Sequence, residues 1–175
     1  MNCLWLTEII KLSDFEGDWK KYDDYLYSIF VRDFINNTIM FNGKPVRIRR
    51  YPEQCNREQS YFHITNKDSS VGSTDPNDRI PDLRRCERIE WIKLFIENYN
   101  CTKGCDQCTG IKVWKEPYKG NSRWHFLFEE FKFLVIIEER TEYNLLISGF
   151  YIFNDTVMKK KLRRYNRFKD KTKNA

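Results

Sequence analysis

The sequence has no apolar run approaching the roughly 20 residues a helix needs to cross a bilayer, which excludes a helical membrane span. Its first residues, MNCLWLTEIIKLSDFEGDW, carry acids early and no basic leader, so a secretory signal peptide is not expected. A cytoplasmic location follows as the expectation, with no membrane partner. The six cysteines then read as thiols or metal ligands, not as a disulfide frame. Several catalytic signatures are also missing. There is no HExxH, no phosphate-binding GxxxxGK[ST] and no GxSxG, and the acids are scattered among bases. A two-metal nuclease therefore has no visible ligand set, and no cofactor is expected. Histidine is scarce, only His63 and His125, and no internal repeat is visible.

What is abundant is aromatic side chains and arginine. Thirteen Phe, ten Tyr and five Trp give a 175-residue chain enough apolar surface for one domain with a core. The net charge of +6 is unevenly spread. From Lys159 onward there are nine Lys or Arg against the single acid Asp170, which leaves the first 158 residues at −2. The sequence thus divides into a domain over 1–158 and a basic tail over 159–175, expected to be flexible. Lys159, Lys160, Lys161, Arg163 and Arg164 in that tail are candidate contacts to a polyanion.

The fold class reads as α+β. Trp19, Tyr22, Leu26, Ile29 and Phe30 recur at three and four residues, which predicts an amphipathic helix over 19–35. FNGKPVRIRRY predicts an Asn-Gly turn into a strand, and SYFHIT predicts another short strand. Residues 66–82, rich in Ser, Asp, Gly and Pro, read as a loop. IKVW, RWHFLFE, KFLVIIEE and YNLLISGFYI, joined by short links, predict a curved four-stranded antiparallel sheet. Strand alternation puts Arg123, His125 and Leu127 on one face of it, opposite Trp124, Phe126 and Phe128.

Between helix and sheet lies DRIPDLRRCERIEW, residues 78–91, with Arg79, Arg84, Arg85 and Arg88 among four carboxylates. A solvated helix face alternates Lys with Glu, whereas a site that grips phosphate favours the planar, permanently charged guanidinium fork. The alternative is that these arginines pair with Asp82, Glu87 and Glu90. His63, at a predicted strand end with Thr65 on the same side, is the better placed imidazole to address a ligand. Cys101, Cys105 and Cys108 are spaced C-x3-C-x2-C, and with Cys86 or Cys55 they offer a structural zinc site as an alternative to free thiols.

The succession FNGKPVRIRRYP, FHIT, DRIPDLRRCERIEW with IEN, KVW, FLVIIEER and YNLLISGFYI resembles a family of small phage-associated proteins. That family is similar in turn to the nuclease fold shared by barnase, EndoU, colicin-type and RelE-type toxins. The resemblance spans roughly residues 19–152 in order, and DRIPDLRRCERI is its most specific part. It implies a helical N-terminal part packed on an antiparallel sheet and metal-independent cleavage of RNA by 2′-hydroxyl attack. On that reading His63 is the acid or base, Arg85, Arg88, Arg84 and Arg123 clamp the phosphate, and Thr65 and Ser148 supply hydroxyls. The implied partners are RNA and an antitoxin or immunity protein. Two departures stand out: Ser148, Gly149 and Phe150 replace a Thr-Ala-Tyr run, and CTKGCDQC falls outside the shared pattern. The other class of function on the same fold is a non-catalytic nucleic-acid or partner-binding module.

Overall fold

The computed structural model describes residues 3–69, 78–101 and 108–172. Asp18 starts the first helix, α1 (Trp19–Phe30), by accepting a hydrogen bond from the Lys21 amide at 3.1 Å. The helix buries Tyr22, Leu26, Ile29 and Phe30, the stripe its periodicity predicts. It widens over Val31–Ile35, where buried Asp33 takes Arg32 at 2.8 Å and Lys93 at 3.6 Å. Strands β1 (Met40–Phe41) and β2 (Lys44–Arg47) then form a hairpin. Its turn holds Asn42 and Gly43 at φ 49° and 72°, as an Asn-Gly type I′ turn requires.

The SYFHIT segment departs from the expectation of a strand. It is helix α2 (Gln59–Thr65), because its buried residues Ser60, Tyr61, Ile64 and Thr65 follow helical spacing. The β-branched pair Ile64-Thr65 ends it, and the chain extends into β3 (Asn66–Asp68), which pairs antiparallel with β4 (Arg79–Pro81). Two short helices follow: α3 (Leu83–Cys86), capped by the Asp82 carboxylate on the Arg84 amide at 3.0 Å, and α4 (Ile89–Glu97).

The four predicted antiparallel strands are present as β5 (Lys112–Tyr118), β6 (Asn121–Phe128), β7 (Phe133–Glu139) and β8 (Asn144–Tyr151). The sheet is larger than expected, however. It has six strands in the order β1-β2-β8-β7-β6-β5, mixed because β2 runs parallel to β8 through Val46↔Asn144 and Arg47↔Leu145. No local pattern announces a pairing between segments so far apart in sequence. The sheet curls into a half-barrel, so that Phe41 of β1 meets Trp124 and Phe126 of β6 at ring centroids of 5.1 and 4.9 Å. The main core fills this inner side between the sheet and α1, α2 and α4. A bulge shifts the register between Ile136 and Ile137, where Ile136 pairs with Ser148 and Ile137 with Leu146.

The expectation of a flexible basic tail is corrected. Residues from Lys159 on belong to helix α5 (Asp155–Thr172). Met158, Leu162, Tyr165 and Phe168 project from one side of that helix onto the outer face of the sheet. There they meet Trp114, Leu127, Leu134 and Ile136 in a second apolar cluster. The sheet is thus covered on both faces. No helix among the described residues is long and apolar enough to cross a membrane.

Candidate functional site

The chain brings several of its arginines to one corner. Beyond Leu145, β8 has no strand partner on the β2 side, and α2 and α3 pack along that edge instead. The C-terminal turn of α2 presents His63, the β3–β4 ribbon presents Arg79, and the first turn of α3 presents Arg85. Arg79 hydrogen-bonds the His63 ring at Nδ1 and reaches the Asn66 carbonyl at 3.3 Å. Arg85 donates to the His63 carbonyl at 3.0 Å and passes over the β8 edge to Ser148 Oγ at 3.4 Å. Its guanidinium lies 5.5 Å from the Phe150 ring centroid.

Among the described residues, two carboxylates stand against three arginines in the corner. Asp68 lies 3.4 Å from Arg79 and Asp82 lies 4.0 Å from Arg85. Arg49 adds a third cation near enough to act on His63. Burial, then the charges of Arg79 and Arg49, push the His63 pKa down to about 4, so the ring is neutral at pH 7. Burial also lowers Arg79 and Arg85 from their ordinary values, although a guanidinium stays protonated. Among the described residues, the Nε–H groups of Arg79 and Arg85 are buried and meet no acceptor. A buried donor without an acceptor is costly in a folded chain, and this corner holds two. Because Arg79 donates to Nδ1, the His63 proton sits on Nε2, where the neutral ring is a hydrogen-bond donor.

The remaining expected site residues lie elsewhere. Thr65 is buried, and its hydroxyl donates back to the Tyr61 carbonyl at 2.8 Å, closing α2 and not facing a ligand. Arg88 was expected beside Arg85, but it stands at the break between α3 and α4, with φ −119° and ψ 22°. The break turns it to Glu87 at 2.8 Å and over the rings of Trp91 and Tyr151. Arg84 is exposed and lies over Tyr151 and Phe153 at 5.3 and 4.3 Å. Arg123 is on β6, two strands from Ser148 in the sheet, held by Glu138 at 2.8 Å and stacked on Tyr118. The face it shares with His125 does not carry an open site, because α5 covers it. His125 is buried, stacks on Trp114 at 4.7 Å, and sits 3.4 Å from Glu116, which Arg164 binds at 2.6 Å.

On α5, Lys159, Lys160 and Arg163 are exposed, whereas Lys161 and Arg164 turn partly toward the sheet. Of the zinc alternative, Cys105 lies outside the described residues. Cys86 is buried and donates its thiol to the Thr65 carbonyl at 3.4 Å, and no cluster able to hold a metal occurs among the described residues. Sequence reasoning passed over Arg79 and Arg49 as site residues. In the sequence Arg79 follows a stretch rich in Ser, Asp, Gly and Pro without periodicity, so nothing local ties it to His63. No protein family, curated protein or solved structure matches the chain.

Proposed function

We propose that the protein binds RNA and grips a backbone phosphate in the corner formed by His63, Arg79 and Arg85. The observation that supports this reading most directly is the pair of half-buried arginines whose Nε–H groups meet no acceptor among the described residues. A phosphate oxygen is the acceptor for which such a fork is suited, in two parallel bonds. The Nε2–H of neutral His63 supplies a further donor. Exposed Lys159, Lys160 and Arg163 on α5 add sequence-independent attraction to a polyanion.

The test is anisotropy of a labelled RNA oligomer in EDTA at several salt concentrations. Arg85→Lys keeps the charge and loses the fork, so affinity is expected to fall about tenfold or more with the fold intact. Parent-like affinity in a folded Arg85→Lys variant overturns the reading.

One observation favours metal-independent cleavage as a second reading: the His63 ring is held at Nδ1 by Arg79, the group that would also bind the phosphate. A phosphate that draws Arg79 to itself frees the Nδ1 lone pair. His63 then takes the proton of the ribose 2′-hydroxyl, that oxygen attacks phosphorus, and the P–O5′ bond breaks as the imidazolium returns the proton to the 5′ oxygen. Arg85 and Arg79 stabilise the charge on the phosphorane. Products with 2′,3′-cyclic phosphate ends, lost in His63→Ala, are the expected result. Intact RNA recovered after long incubation leaves the binding module. A cleaving enzyme of this kind calls for a protein inhibitor such as an antitoxin, and an excess of that partner would protect Arg85 from the RNA.

A further inference from the structure

A second concavity lies at the far end of α4 from the arginine corner, at the mouth of the half-barrel. It encloses about 820 Å³, within the range of small-molecule sites. Four aromatic rings line it, Phe41, Tyr99, Trp124 and Tyr165, each brought by a different element of the chain. Tyr99 and Tyr165 are only half-buried. Lys115 and Lys169 stand among these rings, at 5.4 Å from the Trp124 centroid and 5.7 Å from the Tyr165 centroid. Among the described residues of the lining, the one carboxylate, Glu139, is already occupied. It takes Lys115 at 2.6 Å, Lys44 at 3.3 Å and the Trp124 indole N–H at 3.2 Å.

The cleft therefore combines flat aromatic walls with a net positive charge. Apolar ligands would have no use for the lysines, and a small inorganic anion would leave the rings uncovered. A planar heterocycle carrying an anion satisfies both. We propose that this cleft binds a nucleotide unit, its base against Tyr99 and Tyr165 and its phosphate toward Lys169. Base–aromatic stacking tolerates any base, because every base has a π-face. The unit is either a free nucleotide or a link of a single strand. The strand form rests on the RNA-binding reading above, whereas the nucleotide form does not. Duplex RNA is excluded, since its bases are stacked inside the helix.

The test follows the Trp124 indole N–H by NMR in the full chain. Adenosine monophosphate is expected to shift that resonance, and ribose 5-phosphate, which lacks the base, is not. Lys169→Glu reverses one charge on α5 and is expected to weaken adenosine monophosphate about tenfold. Asn100→Glu, an exposed position in the lining, is expected to act in the same direction. An unshifted Trp124 at millimolar adenosine monophosphate overturns the proposal, as does an equal response to ribose 5-phosphate. A single-stranded oligomer that displaces adenosine monophosphate assigns the cleft to the strand; one that does not displace it assigns the cleft to free nucleotides. Arg85→Lys separates the two sites: oligomer binding lost with nucleotide binding kept implicates the corner alone. Oligomer binding kept with no response to any nucleotide sinks the cleft alone.

Discussion

Ending the chain after Met158 removes most of α5 and is the perturbation whose cost follows most directly from the packing. The truncation deletes Leu162, Tyr165 and Phe168, each half-buried against the outer face of the sheet. Full burial of such a side chain contributes about 1.5–3 kcal/mol, so three at partial burial contribute roughly 3 kcal/mol together. The same cut uncovers part of Trp114, Leu127 and Leu134, which are fully buried, and leaves Glu116 without Arg164. The combined loss is on the order of 4–5 kcal/mol, a large share of the roughly 5–15 kcal/mol that holds a domain folded. With a urea slope of about 2 kcal/mol/M, the unfolding midpoint should fall by roughly 2 M. Chemical denaturation followed by tryptophan fluorescence measures this, and dye binding to the exposed face provides a second readout. A truncated chain with the parent midpoint and no dye binding would show that α5 is a passive appendage, and the argument from the second cluster would fail.

Acidification should destabilise the protein well above the carboxylate range. Burial depresses the His125 pKa to about 4 against an unfolded value near 6.5, so its neutral form contributes stability that is complete above pH 6.5 and lost as pH falls toward 4. That loss is about 3 kcal/mol, and unfolding midpoints for His125→Gln that follow the parent pH profile would refute it. Burial raises the Glu116 pKa but the Arg164 and Trp114 hydrogen bonds outweigh it, so its net shift is downward and its contribution is lost only as pH falls below the usual carboxylate range. Gly149→Ala places a methyl group 2.7 Å from Ile92 Cδ1 and Cγ1 and should cost about 1–3 kcal/mol. Thermal melts should show Ile92→Val recovering part of that cost, and strict additivity of the two changes would contradict the contact. His63→Ala should reduce any cyclic-phosphate product about a hundredfold while weakening RNA binding only modestly, as read by gel and anisotropy. Replacing Lys159, Lys160 and Arg163 by Gln should make the salt dependence of RNA binding shallower; an unchanged slope would remove α5 from the interface.

The parts of the fold legible in the sequence are those governed by short periods. Tyr22, Leu26, Ile29 and Phe30 mark α1, Asn42-Gly43 marks the hairpin, and the β-rich runs with short links mark β5 to β8, because neighbours a few residues apart determine each. SYFHIT misleads because six residues satisfy an alternating template and a helical one equally well, and contact of Tyr61 and Ile64 with the core decides between them. Charge hides α5: eight basic residues obscure a stripe at 158, 162, 165 and 168 whose spacing is nonetheless helical. Of the candidate site, His63, Arg85 and Ser148 do meet, since DRIPDLRR places Arg85 on the first turn after the ribbon. Arg88 and Arg123 separate from them because a helix break and two sheet spacings intervene, neither of which residue type reveals.

The parallel pairing of β2 with β8 joins segments nearly a hundred positions apart. During synthesis at about 5–20 residues per second, β2 therefore waits on the order of 5–20 s before its partner exists. Through that interval the stripe of Tyr22, Leu26, Ile29 and Phe30 has no β-sheet to cover it, because every strand of the meander is made later. The meander itself closes through local hairpins and needs no such delay. Nascent chains should thus depend on chaperone cover for their N-terminal third, and refolding of the finished chain should be limited by docking of that third onto a sheet already formed.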